Sequence, residues 1–78
     1  MAATLSRCAH LLLQVDSGRA DEVARYLSAL PAIAEAAVTS GPYDVIARVD
    51  LTRHELSGVL AHARRAPGLA GVRVCHPA

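Results

Sequence analysis

The spacing of apolar residues switches between two periods along this chain, and the order of the switches leaves few folds open. Residues 8–15, Cys-Ala-His-Leu-Leu-Leu-Gln-Val, form a short apolar run closed by Asp16-Ser17-Gly18, a length and an ending that suit a strand. Over residues 19–30 the period becomes helical, because Ala20, Val23, Ala24, Leu27 and Leu30 recur at three- and four-residue steps. Asp21 and Glu22 sit near the positive N-terminal end of that helix, and Pro31 stops it. Residues 34–40 alternate Ala34, Ala36 and Val38 against Glu35, Ala37 and Thr39, as a half-buried strand does. Ser40-Gly41-Pro42 marks a turn, since Gly accepts unusual dihedrals and Pro pre-sets its own. Residues 43–49 alternate again and read as the second arm of a hairpin. Thr52-Arg53-His54-Glu55 is a capping-box pattern opening a second helix, whose buried stripe is Leu56, Val59, Leu60 and Ala63. Pro67-Gly68 ends it, and residues 70–76 supply a last strand.

The resulting order, β-α-β-β-α-β, predicts an α+β, ferredoxin-like βαββαβ plait: a four-stranded antiparallel sheet with two helices on one face and the first strand between the third and fourth. Residues 1–78 read as a single domain with no linker or low-complexity tract. Strand alternation then assigns the faces. Leu11, Leu13, Val15, Val45, Ala47, Val49, Val72 and Val74 meet the helices, whereas Cys8, His10, Leu12, Gln14, Ile46, Arg48, Arg73 and Cys75 form the uncovered face. Although 53% of the residues are hydrophobic, alanine supplies most of the excess and there is no Phe or Trp. So thin a core in so short a chain favours self-association. The uncovered face, part apolar and part polar, is the candidate dimer interface, with His10, Leu12, Gln14, Ile46 and Arg48 at its centre. The alternative is a merely solvated sheet face.

The charge balance narrows the partners. Eight basic side chains, all arginine and scattered, face seven acids, for a net charge of +1. That argues against direct nucleic-acid binding, which calls for a basic stripe. No apolar stretch approaches the roughly 20 residues needed to span a bilayer, and the N-terminal apolar run is too short for a signal-peptide core, so a soluble, cytoplasmic protein without membrane contact is expected. Cys8 and Cys75 are then expected to be thiols.

The stretch Val38-Thr39-Ser40-Gly41-Pro42-Tyr43-Asp44-Val45-Ile46-Ala47-Arg48-Val49 resembles the hairpin signature of the ligand-binding domain of Lrp/AsnC-type regulators. The remaining pieces fit in order: a Leu-rich first strand followed by Gly18, then Leu30-Pro31-x-Ile33-x-Glu35, and Pro67-Gly68-Leu69-Ala70-Gly71-Val72 before the last strand. The resemblance covers about residues 9–75. It implies a stand-alone version of that domain lacking the helix-turn-helix, forming dimers through the sheets and rings of dimers. It also implies an amino acid or related small molecule bound between subunits near the hairpin, and full-length Lrp/AsnC regulators as candidate partners. The last strand departs from the family's Arg-Thr-x-Thr pattern, reading Arg73-Val74-Cys75-His76, so polar contacts from that strand do not carry over.

The family's ligand-binding glycine and aspartate fall on Gly41 and Asp44, within the candidate set Thr39, Ser40, Gly41, Pro42, Tyr43 and Asp44. The chemistry is coherent, since a zwitterion needs an anion near its ammonium and donors near its carboxylate. Asp44 supplies the first; backbone N–H groups around Gly41 and the hydroxyls of Thr39 and Ser40 supply the second. Pro42 fixes the turn in advance and lowers the ordering cost. On the alternative reading, Gly41-Pro42 is only a tight turn and Asp44 pairs with a nearby arginine.

Other constellations are weaker. His54-Glu55-Leu56-Ser57-Gly58 begins like a zinc-protease helix, but Gly58 stands where the second histidine belongs. His62 lies two helical turns further on, too far to share one ion, so both histidines read as solvated helix residues. Cys8, His10 and Cys75 share the open face and could offer three metal ligands, yet their spacing matches no standard site and no metal is expected. No cofactor-binding glycine motif occurs, and no serine has a histidine predicted to face it, so the chain reads as a non-enzyme. Two further readings stay open: a structural interaction domain forming mixed oligomers without a ligand, and a small dimeric ferredoxin-like enzyme, marked by a deep apolar pocket between sheet and helices that holds His10.

Overall fold

The computed structural model describes residues 7–76; residues 1–6 and 77–78, the ends of the predicted domain, lie outside the described residues. The elements run β1 (Cys8–Val15), α1 (Ala20–Ser28), β2 (Ile33–Val38), β3 (Val45–Asp50), α2 (Leu56–Ala63) and β4 (Leu69–Cys75). The four strands form one sheet in the order β2-β3-β1-β4, with every neighbouring pair antiparallel. This is the predicted ferredoxin-like plait. Each β-α-β half is split: β1 and β2 run parallel with β3 between them, and β3 and β4 run parallel with β1 between them.

The period-two pattern places the core where expected. Leu11, Leu13, Val45, Ala47 and Val49 are fully buried under the helices, together with Val23 and Leu27 of α1. Burying a side chain of the Val or Leu class contributes about 1.5–3 kcal/mol, which makes this small cluster the main source of stability. From α2, Val59 and Ala63 close the other half, while Val15, Val72 and Val74 pack at the margins. The Tyr26 hydroxyl donates to the His62 backbone oxygen at 3.1 Å and ties α1 to α2. Around Gly68, whose φ is +92°, the α2–β4 turn accepts a hydrogen bond from the Asp16 N–H at 2.7 Å and lies under the Arg19 side chain.

Two local expectations change. Strict alternation would put Ala34, Ala36 and Val38 of β2 on one face. The β2–β3 register instead shifts between Ile33 and Glu35, so Ile33 is buried opposite Val49 and Ala34 is exposed. The bulge lets the bulkier isoleucine, rather than alanine, fill the core. Val38 keeps the helix-facing direction but sits at the sheet edge and stays 48% exposed.

The second change is at α2. The capping box does not form: Glu55 is the N-cap in an extended conformation, with no side-chain cap bond, and the helix opens with Val59 N–H donating to the Glu55 oxygen. Upstream, the Asp50 carboxylate accepts from the Thr52 N–H at 2.8 Å, an Asx-turn that recruits Thr52 before it can cap anything. The Thr52 backbone bond, followed by a bond from its side chain, holds the Asp50 carboxyl below its ordinary range. Among the described residues, no helix is long and apolar enough to cross a membrane.

Candidate functional site

The β2–β3 hairpin is held from below and open above. Thr39 N–H donates to the Asp44 backbone oxygen at 2.8 Å and the Thr39 hydroxyl to the Tyr43 oxygen at 2.7 Å, closing the loop on itself. Asp44 N–H donates to the Leu13 oxygen at 2.8 Å, and the Gln14 side-chain amide donates to the Pro42 oxygen at 3.2 Å, stitching the loop to β1. The tip, Ser40-Gly41-Pro42, is exposed, and Gly41 has a φ of +121°, where a side chain would be strained.

Asp44 does something the sequence did not suggest. Its Oδ2 accepts the Val15 backbone N–H at 2.9 Å, where the β1–β4 register shifts between Gln14 and Val15. The partner is thus a backbone donor rather than an arginine. One carboxylate oxygen and the Thr39 hydroxyl proton are already engaged inside the fold, leaving the second Asp44 oxygen, Ser40 and the tip's backbone for anything external.

The uncovered sheet face has the predicted composition. Its rows follow the register: Glu35, Arg48, His10 and Cys75 lie side by side across the four strands, and Ala37, Ile46, Leu12 and Arg73 form the next row. Arg48 reaches Glu35 at 3.7 Å, an exposed pair. His10, Leu12 and Ile46 are half-buried, while Gln14 and Arg48 are exposed. A shallow depression of ≈ 270 Å³ on this face is lined by His10, Glu35, Ala37, Thr39, Ile46 and Arg48. Thr39 therefore belongs to both the hairpin and the sheet face; Ser40 through Asp44 do not line that depression. His10 faces away from the helices, in the row of the open face that it shares with Arg48 and Cys75. Cys8 and Cys75 are free thiols, and among the described residues no group of three or more His, Cys, Asp or Glu is placed to hold a metal.

A larger concavity, ≈ 460 Å³, lies at the other end of the sheet, between the α1–β2 turn and the start of α2. It brings together His54 and His62, which the sequence places on one continuous helix. Because α2 starts only at Leu56, His54 belongs to the preceding loop, and both side chains border the same cleft. The signal that could have revealed this is Asp50-x-Thr52, an Asx-turn pattern competing with the capping box for the same threonine.

Fold and site together define the class: a small ferredoxin-like plait with one uncovered sheet face and a pinned, exposed hairpin. Within that class the structural neighbours include a hypothetical protein and two longer proteins, AsnC and a transcriptional regulator. The hypothetical protein PHS023 from Pyrococcus horikoshii superposes with a TM-score of 0.75 at 25% identity, over 91% of this chain and 88% of that one. AsnC of E. coli superposes at 0.69 with 14% identity, over 94% of this chain and 57% of AsnC. The transcriptional regulator NMB0573 from Neisseria meningitidis, solved as a complex with L-Met, gives 0.70 at 14% identity, over the whole of this chain and 58% of that one. The likeness to the two regulators is one of fold, and it spans a little over half of their length. By sequence, neither a family model nor a curated protein matches the chain.

Proposed function

We propose that this chain is a small-molecule-binding, oligomerising regulatory module, with amino acids as its ligand class and the β2–β3 hairpin as its site. The observation that carries the proposal is the hairpin itself, an exposed tip on a loop whose base is anchored by five backbone and side-chain bonds. Such a loop binds without a large ordering cost. The tip stands beside an uncovered sheet face, so a second copy seated on His10, Leu12, Gln14, Ile46 and Arg48 would enclose what the single chain leaves open. The L-Met in the NMB0573 structure supports amino acids as the class to test. The module acts by binding and not by catalysis, in the cytoplasm, with further copies or full-length regulators of the same fold as partners and no nucleic-acid contact of its own.

A specific observation favours a second reading: the Asp44 carboxylate and the Thr39 hydroxyl both serve the fold. On that reading the hairpin is an assembly element and no ligand binds. A thermal-shift panel of the twenty amino acids separates the two, because a ligand held only by the native state at ten times its Kd stabilises it by roughly 1.4 kcal/mol. A concentration-dependent rise with one or a few amino acids supports sensing. A flat response at millimolar concentration overturns amino acids as the ligand class and leaves an assembly role or a ligand of another class.

A further inference from the structure

We propose that the cleft between the α1–β2 turn and α2 is a second binding site, separate from the hairpin, that takes a small monocarboxylate with a short branched apolar tail. At ≈ 460 Å³ the cleft falls in the roughly 300–1,000 Å³ range of small-molecule sites. Its floor is apolar: Ala32 and Val59 are buried, and Leu30 and Pro31 complete the wall. Its rim carries Arg53, His54, His62 and Glu55. Among the described residues, no hydrogen bond or ion pair engages the side chains of Arg53, His54 or His62. Three side chains able to donate thus stand over an apolar floor with one acid in the lining, Glu55, and with Asp50 nearby.

The chemistry selects the ligand class. A guanidinium accommodates a carboxylate through two parallel N–H bonds, and each imidazole has an N–H to offer whether or not it is charged. Donors outnumber the acids even with the Asp50 carboxylate, which lies within electrostatic reach of Arg53 and His54, counted beside Glu55, so an acceptor-only head group fits better than an ammonium. Glu55 also repels a second negative charge, which favours a monoanion over a dianion or a phosphate ester. The tail then covers Leu30, Ala32 and Val59. Gly58 keeps the cleft open, since a Cβ built there meets nothing within 4 Å. A larger side chain at 58 would project into the space a ligand needs.

The hairpin lies at the opposite end of β2 and β3, so the two sites are tested independently on one spectrum. The test titrates the ¹⁵N-labelled full chain with isovalerate, L-leucine and isoamylamine, which share a branched tail and differ in head group. Isovalerate is expected to shift the Ala32, Gly58 and Val59 amides saturably in the millimolar range, leaving the Gly41 and Asp44 amides unmoved. Leucine should bind there several-fold more weakly, and isoamylamine should give no shift. Gly58→Leu should abolish the isovalerate response while keeping or raising the melting temperature, because leucine is the better helix former. Arg53→Gln should weaken binding at least about tenfold, as expected for loss of a charged fork. The proposal is overturned by an absence of saturable shifts, by shifts that survive Gly58→Leu, or by an equal response to isoamylamine. Shifts at Gly41 and Asp44 alone would overturn it too, while supporting the hairpin reading.

Discussion

Replacing Asp44 separates what this carboxylate does for the fold from what it offers a ligand. Its Oδ2 is the acceptor for the Val15 N–H at 2.9 Å, at the point where the β1–β4 ladder changes register. Alanine leaves that N–H without its partner. A buried, unsatisfied donor costs about 1–3 kcal/mol, and because Val15 is only half-buried the lower part of that range applies, about 1–2 kcal/mol. Unfolding entropy near 2.1 cal/mol/K per residue gives about 0.16 kcal/mol/K for 78 residues. Asp44→Ala should therefore melt roughly 6–12 °C below the parent, read by calorimetry or circular dichroism. Asp44→Asn keeps a carbonyl oxygen for Val15 and gives up the charge, so its loss should stay under about 1 kcal/mol, or roughly 6 °C. If alanine melts within about 2 °C of the parent, the bond does not support the fold. If asparagine costs as much as alanine, charge rather than acceptor geometry is what the site needs. The asparagine variant is then the proper test of sensing, because it stays folded while removing the anion that a ligand ammonium requires.

Three other outcomes follow from particular contacts. Gly68→Ala should cost about 1–3 kcal/mol in urea unfolding, since φ is +92° and the new Cβ would lie 2.8 Å from Arg19 Cδ; Arg19→Ala in the same background should recover only the steric part. Acid should weaken the fold through Asp50 and Glu22, whose carboxyls are held below their ordinary range by bonds from Thr52 and Arg19 respectively. A lowered folded-state pKa means the stabilisation is complete above the unfolded values, 3.8 and 4.5, and is lost as pH falls through the folded ones; Asp50→Asn should flatten that slope in a pH series of melting curves. Ile46→Glu puts a charge at the centre of the uncovered sheet face and should convert an oligomer to monomer in sedimentation, with the circular dichroism spectrum unchanged. An oligomer that survives it uses another surface.

The two spacings of apolar residues, read alone, lead to the six elements, their order and the split topology. They also identify Leu11, Leu13, Val45, Ala47 and Val49 as the helix-facing side of the sheet and His10, Leu12, Ile46 and Arg48 as the open side. These features were legible because each depends on a residue and its near neighbours: side chains alternate along a strand and recur by turns along a helix whatever lies elsewhere. Gly41 and Gly68 were legible as turns for the same reason, and both have positive φ.

Tertiary structure decided what local spacing leaves open. The bulge that puts Ile33 rather than Ala34 into the core depends on pairing with Val49, sixteen residues further along the chain. Asp44 finds its partner in Val15, at a break in pairing with β4 that no pattern within the hairpin reveals. Thr52 could satisfy a capping box or an Asx-turn from sequence, and the fold uses the turn. That choice keeps His54 out of α2 and lets it border one cleft with His62 and the α1–β2 turn. Each outcome depends on which distant backbone group or surface arrives beside a side chain, and that is settled only when the sheet and its helices pack together.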